Sequence, residues 1–468
     1  MKAEQLYTQC LAEAAYYIES EGEAVIIDPL RETQPYIDLA NKDNAKIKYI
    51  LETHFHADFV SGHIDLAKKT GATIVFGPNG TPNYDAYVAK DGEILEVGKL
   101  KIKVLHTPGH TMESTTYLLI DENGKEHSIY TGDTLFIGDV GRPDLAVKSD
   151  LSQEDLARHL FDSLRNKIMT LPDDVIVYPG HGAGSACGKN MSKETYDTLG
   201  NQKEANYALR ADMTKEDFVK EVTDGLVAPP QYFPKNVAMN KMGYDSFDEV
   251  MSRGTQAYDV DSFEEKMNEG ILVIDTRHQN DFIKGFIPGT MFIGIDGSFA
   301  TWVGTLITDL KQPILFIAEE GREEEVVMRF SRVGYDNIIG YLKGGFDAWK
   351  NANKEIDTLD QVSAEEFSEI YKKDDIQLLD VRKASEYDSE HILNAKNLPL
   401  DFIFSNIVAV DIYKKYFVHC AGGYRSVIAS SILKNKGVNQ LVDIAGGFKS
   451  LSETEIPKTE YQCPSTML

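Results

Sequence analysis

Short apolar runs, rich in β-branched and aromatic residues, recur along the first part of the chain, and each ends in a cluster of polar groups. Ile47-Lys48-Tyr49-Ile50-Leu51, Leu100-Lys101-Ile102-Lys103-Val104, Ser128-Ile129-Tyr130 and Val175-Ile176-Val177-Tyr178 have the length and composition of strands. The segments that follow them are Thr53-His54-Phe55-His56-Ala57-Asp58-Phe59, His106-Thr107-Pro108-Gly109-His110-Thr111, Thr131-Gly132-Asp133-Thr134 and Pro179-Gly180-His181-Gly182. A lone loop histidine is ordinarily solvated or hydrogen-bonded. Four such loops in succession change that reading, because imidazoles and carboxylates gathered at strand ends are costly unless they coordinate something. A metal centre is the expectation.

Beyond Ala228-Pro229-Pro230-Gln231-Tyr232-Phe233-Pro234, where proline interrupts regular structure, the pattern repeats itself. Leu272-Val273-Ile274-Asp275-Thr276-Arg277 matches Leu378-Leu379-Asp380-Val381-Arg382, and Gly285-Phe286-Ile287-Pro288-Gly289 matches Glu390-His391-Ile392-Leu393-Asn394. Leu342-Lys343-Gly344-Gly345-Phe346 matches Ile444-Ala445-Gly446-Gly447-Phe448. Matches in one order, about a hundred residues apart, predict two copies of one domain. Each alternates buried strands with helical stretches, as in an α/β domain with a mainly parallel sheet.

A chain of 468 residues is too long for one core and implies several domains. Its 42% hydrophobic and 26% charged residues are ordinary for a globular protein. A formal net charge of -26 argues against nucleic acid and against anionic membranes as partners. The four cysteines, Cys10, Cys187, Cys420 and Cys463, are too scattered to form a disulfide framework, which fits a reducing compartment. The N-terminus lacks the basic segment and apolar core of a signal peptide, and no apolar run is long enough to span a bilayer. A cytoplasmic location is expected.

The first half resembles the metallo-β-lactamase superfamily, a sandwich of two β-sheets flanked by helices with metal at one edge. Thr53 to His63, Pro108 to Thr111, Gly132 to Arg142 and Gly180-His181-Gly182-Ala183-Gly184-Ser185 look most like the persulfide dioxygenases. The resemblance implies His54, His110 and Asp133 as ligands of one Fe(II) per chain. Binuclear hydrolases of the superfamily carry a histidine after the motif aspartate, where this chain has Phe59. A phenyl ring cannot serve a second metal. His56, Asp58 and His181 are left as further ligands or as groups that orient the first three. His63 and His106 are read as structural.

Arg142, in Gly138-Asp139-Val140-Gly141-Arg142-Pro143-Asp144, has two readings. One is an ion pair with Asp139 or Asp144; the other, implied by the resemblance, is a contact with the carrier thiol, whose carboxylate a forked guanidinium would suit. Cys187 is either close enough to the metal to exchange sulfur or a buried, inert thiol.

Both copies in the second half resemble rhodanese domains, over roughly Tyr258 to Trp349 and Leu359 to Ser452. Only the second carries an active-site loop: Tyr416-Phe417-Val418-His419 reads as a strand, and Cys420-Ala421-Gly422-Gly423-Tyr424-Arg425-Ser426 opens a helix. Backbone N–H groups of Gly422, Gly423 and Tyr424, the helix N-terminus and Arg425 would hold a persulfide or an oxyanion beside Cys420. Cysteine-arginine loops of phosphatases are the rival, but they usually carry one more residue between the two. Cys420 is therefore assigned as the nucleophile that takes up sulfane sulfur. In the first copy Ala318 stands near the cysteine's place, followed by Glu319 and Glu320, and that copy should be silent. Asp275 with Arg277, and Asp380 with Arg382, are read as structural pairs.

The expected architecture is an α/β multidomain chain: a metallo-β-lactamase αββα sandwich over residues 1–245, an inactive rhodanese-like domain over 255–352 and an active one over 359–458. The expected chemistry is oxidation of a low-molecular-weight thiol persulfide by O2 to sulfite and thiol, coupled to sulfur transfer to or from thiosulfate, in a homo-oligomer. The alternatives are a zinc-dependent thioester hydrolase of the glyoxalase II type and a non-enzymatic sulfur carrier.

Overall fold

The computed structural model describes residues 1–146, 151–226, 228–372 and 376–462; Cys463 lies outside the described residues. The chain divides into two compact units, Met1–Asp248 with Ser331–Gly334, and Glu249–Phe330 with Tyr335–Leu468. No helix among the described residues is long and apolar enough to cross a membrane.

The first unit is built on two six-stranded sheets. One runs in the order Lys2–Thr8, Glu13–Ser20, Glu23–Ile27, Lys46–Glu52, Thr73–Phe76, Tyr87–Val88. The other runs Asp197–Thr198, Ile176–Pro179, Glu126–Gly132, Thr115–Ile120, Leu100–His106, Ile94–Val97. Side chains alternate between the faces of a strand, so one strand can feed two cores. In Glu13–Ser20, Tyr16 and Ile18 point between the sheets and meet Val104, Tyr117 and Leu119. Ala15 and Tyr17 point outward, where Tyr36, Ala40 and Leu66 of the helices Gln34–Lys42 and His63–Thr70 cover them. The second sheet's outer face, including Leu118, Ile129 and Val177, packs on Leu160 and Phe218 of Gln153–Ser163 and Lys215–Thr223. Helix, sheet, sheet and helix are thereby stacked on three apolar layers.

The second unit holds two five-stranded sheets of identical strand order. The first is Ala257–Tyr258, Ile338–Leu342, Ile314–Ile317, Leu272–Asp275, Met291–Phe292, and the second is Asp360–Val362, Leu441–Ile444, Tyr416–His419, Gln377–Asp380, Lys396–Asn397. All pairings in both are parallel. The repeat extends to side chains. Arg277 clamps Asp275, donates to the Gly285 carbonyl and lies 4.3 Å from the Phe346 ring centroid. Arg382 does the same with Asp380, the Glu390 carbonyl and Phe448, at 3.8 Å.

Both members of the Asp380–Arg382 pair are buried. Removing one partner strands the other's charge out of water, which is the costly way to break such a pair. Arg382→Met is therefore expected to destabilise the second copy by about 3–5 kcal/mol. Faster native-state hydrogen exchange in Tyr416–His419 is the measurement that checks it; unchanged protection there would refute a structural role.

Candidate metal centre and sulfur-transfer loop

Three of the four strand-end loops bring in a histidine whose ring is oriented through Nδ1, and the fourth brings in Asp133. The Thr53 N–H and hydroxyl donate to the two oxygens of Asp28, at 2.7 and 2.8 Å. With its one proton so used, Thr53 Oγ1 can only accept from His54 Nδ1, 3.0 Å away. His110 Nδ1 lies 2.8 Å from the carbonyl oxygen of Arg142, and His181 Nδ1 lies 3.2 Å from that of Ala12. A carbonyl cannot donate, so each Nδ1 carries a proton, and each ring in its neutral form presents a lone pair at Nε2.

Those lone pairs converge on Asp133. Its Oδ2 lies 3.8 Å from His54 Nε2 and 3.4 Å from His110 Nε2, and its Oδ1 lies 3.6 Å from His181 Nε2. Among the described residues, neither carboxylate oxygen finds a hydrogen-bond donor, though both are buried. Burial, together with the neighbouring imidazoles of His56, His110 and His181, holds His54 well below the usual histidine value, so it is neutral. A buried carboxylate facing nitrogen lone pairs is unfavourable unless a cation sits among them. The donor set of His54, His110 and Asp133 fits a divalent first-row metal, and their ligand atoms lie within 4.8 Å of one another.

A second trio, His56, Asp58 and His181, stands beside the first. His181 Nε2 is 3.4 Å from Asp58 Oδ2. Burial opposes a charge on His181, yet Asp133 and Asp58 draw its value upward. His56 faces other acids: its Nε2 lies 3.1 Å from Asp28 Oδ1 and 3.8 Å from Glu52 Oε2. Burial resists its charge, but Asp28, Glu52 and Asp58 outweigh that and raise it to about 9. The Phe59 ring, fully buried, packs on the His56 imidazole at 4.3 Å between centroids. His63, brought down to about 3 by burial and by His56, bonds with Tyr84; His106 Nε2 lies 2.9 Å from the Met112 carbonyl oxygen. Both are framework residues.

Beside His110 opens a cavity of about 400 Å³, with Phe55, Ala57, Met112, Val237 and Lys241 on its walls. Arg142 reaches the centre through its carbonyl. Its guanidinium forks onto Asp144, Nε to Oδ1 at 2.6 Å and Nη2 to Oδ2 at 2.7 Å, and Nη1 donates to the Ala186 carbonyl. Cys187 is buried within reach of Asp133 and His181; burial pushes its thiol well up, and Asp58 and Asp133 add to that.

In the second unit, Cys420 follows the strand Tyr416–His419 directly, and the helix Arg425–Asn435 begins five residues later. Its Sγ accepts from the Gly423 N–H at 3.1 Å, and Gly423 has φ +95°. A Cβ on Gly447 would lie 2.4 Å from the Cys420 carbonyl oxygen, so the Gly446–Gly447 turn must stay bare to pass this close. The space above Gly422 is open, and a cavity of about 510 Å³ lies over Gly422 and Gly423. Arg425 forks onto Glu386 at 2.6 and 2.8 Å, and Tyr424 turns its side chain toward the first copy. In that copy, Ala318 follows its strand Ile314–Ile317 directly, in the place Cys420 takes after its own.

The family model described as Metallo-beta-lactamase superfamily matches residues 9–181, and that described as Rhodanese-like domain matches residues 259–352 and 363–454. "Persulfide dioxygenase ETHE1, mitochondrial" of Bos taurus is 31% identical over 222 residues, 47% of this chain and 78% of that one. The chain belongs to the metallo-beta-lactamase superfamily. Two rhodanese-like domains follow its metallo-beta-lactamase domain. "Probable hydroxyacylglutathione hydrolase glo2" of Schizosaccharomyces pombe is 34% identical over 160 residues, 33% of this chain but only 57% of that relative's length. A crystal structure of a metallo-beta-lactamase from Staphylococcus aureus subsp. aureus COL is 32% identical and superposes with a TM-score of 0.65, over 73% of this chain and 98% of that one.

Within this metallo-beta-lactamase domain, the pattern of strand-end histidines leaves out Asp28 and Glu52. Asp28 closes the run Ala24-Val25-Ile26-Ile27 just as the ligand loops close theirs, which was a usable signal. Glu52 gave none, since its role depends on Ser61, whose hydroxyl donates to it at 2.7 Å.

Proposed function

We propose that the chain is a persulfide dioxygenase joined to a sulfurtransferase, oxidising a low-molecular-weight thiol persulfide with O2 in the cytoplasm. His54, His110 and Asp133 would hold one Fe(II). Bound there, the metal would supply the redox chemistry by which O2 oxidises the terminal sulfur of R-S-S⁻. The protein's own part is orientation and charge. Thr53, Arg142 and Ala12 fix the three rings through Nδ1, and Asp28 fixes Thr53 in turn. The cavity beside His110 would take the carrier's body, with its apolar walls of Phe55, Met112 and Val237 and the Lys241 ammonium for a carboxylate. Arg142 would contribute its guanidinium if the carrier's carboxylate takes the place of Asp144.

The observation that carries this reading over thioester hydrolysis is Phe59. It takes the sequence position after Asp58 where the binuclear hydrolases carry a histidine, and its ring packs on His56. The His56 Nε2 lies 3.1 Å from Asp28 Oδ1, so its imidazole faces the carboxylate that fixes Thr53. In the second rhodanese-like domain, Cys420 would take sulfane sulfur from thiosulfate, release sulfite and pass the sulfur to an acceptor, or run the reverse with sulfite from the first domain. The first copy, with Ala318 in the thiol's place, would be silent.

Anaerobic loading with iron, metal analysis and oxygen-electrode assays over a panel of persulfides test the reading. One iron per chain and persulfide-dependent oxygen uptake are expected. Two zinc per chain with thioesterase activity would replace it by the hydrolase, and an iron-loaded chain that consumes no oxygen would leave a sulfur carrier.

A further inference from the structure

The first rhodanese-like copy has no thiol of its own at Ala318, yet it is built into the site of the second. Tyr424 stands in the Cys420 loop between Gly423, whose N–H reaches the sulfur, and Arg425, which opens the helix. Its side chain leaves the loop and enters the first copy. There the hydroxyl donates to the Gly294 carbonyl at 2.6 Å, and the ring meets Phe292 edge-on at 5.9 Å. Gly297 closes the slot: a Cβ there would lie 2.2 Å from Tyr424 Cζ. Burial holds the hydroxyl far above the usual tyrosine value, so it remains a neutral donor.

Bonds along the same helix hold the slot in register. The Phe292 N–H donates to Ser431 Oγ at 3.0 Å, and Asn435 Nδ2 donates to the Thr290 carbonyl at 3.0 Å. Gln279, Asn280, Ile283 and Lys284 of the first copy also border the cavity over Gly422 and Gly423. Two consecutive glycines have the widest backbone freedom of any pair, and Gly423 adopts φ +95°. Between them and the helix, Tyr424 is the one side chain able to carry a constraint into the loop.

We propose that the first copy is a working part of the second copy's sulfur-transfer site, and that Tyr424 is a positioning residue. Its ring, seated in the slot of Phe292, Gly294 and Gly297, fixes the Gly422–Gly423 backbone against the Cys420 sulfur. The proposal rests on Cys420 being the sulfur-transfer nucleophile.

The test uses the full chain with Tyr424→Phe, which keeps the ring and removes one bond, with Gly297→Ala, which crowds the slot from the other copy, and with both. Thiosulfate sulfurtransferase kcat should fall about 10-fold in each single variant while KM stays within about twofold, as for a group that aligns rather than binds. The double variant should lose no more than the worse single one, because both changes act on one contact. Alkylation of Cys420 by iodoacetamide, read on its own peptide, should change by a similar factor and needs no sulfur donor. Wild-type transfer rates and alkylation in both single variants would overturn the proposal, as would losses that multiply in the double variant. A wild-type chain that transfers no sulfur would instead refute the role of Cys420, and the alkylation rates would still decide whether the slot orders the loop.

Discussion

Asp133→Asn is expected to empty the metal centre and to lower persulfide-dependent oxygen uptake by about 10³-fold or more, equivalent to about 4 kcal/mol in the barrier. The substitution conserves size, so packing is retained. What it removes is the negative charge that His54, His110 and His181 face at 3.4 to 3.8 Å. An amide in that place offers one neutral oxygen and puts N–H donors among lone pairs that should point at a cation. Metal content after anaerobic loading and oxygen-electrode rates are the two measurements, with sulfur transfer at Cys420 as the internal control. A variant that kept its metal and most of its oxygen uptake would remove Asp133 from the centre.

The second large effect is expected from Cys420→Ser. Sulfur transfer from thiosulfate should fall by about 10⁴-fold, because a hydroxyl cannot accept sulfane sulfur as the thiolate does and the loop offers no second nucleophile. Oxygen uptake with a supplied persulfide should persist within about twofold, since the Asp133 cluster has its own side chains and its own cavity beside His110. Loss of both activities together would contradict two separate sites. Serine offers an oxygen acceptor where the sulfur now accepts from the Gly423 N–H, so the loss is expected to read the chemistry of sulfur rather than a collapsed loop.

The local pattern carried much of this architecture. Strand ends that finish in His54, His110, Asp133 and His181 are visible as apolar runs broken by imidazole and carboxylate, and the structure brings all four together. The duplication was equally legible, because matching segments in one order must fold into sheets of one strand order. Partners distant in sequence were not. Arg142 could be read as an ion pair or as a hand for the carrier, and in the structure its fork lies on Asp144. Arg425 reads as an anion holder from its loop alone, yet its guanidinium meets Glu386, which lies 39 residues away. Tyr424 shows the limit most clearly, since its direction is set by a glycine and a carbonyl in the other copy. A motif gives the order of groups along a loop, and the packing around it decides where each one points.

The Asp-Arg-Phe clamp is present in both copies, at Asp275, Arg277 and Phe346 and again at Asp380, Arg382 and Phe448, whereas the thiol is present in one. Foldability and reactivity are thus encoded in separable sets of positions. On the proposed role of Tyr424, a module without the reagent serves as a rigid jig for its twin, and an engineer re-tuning one half of such a pair would leave the mould in the other half intact.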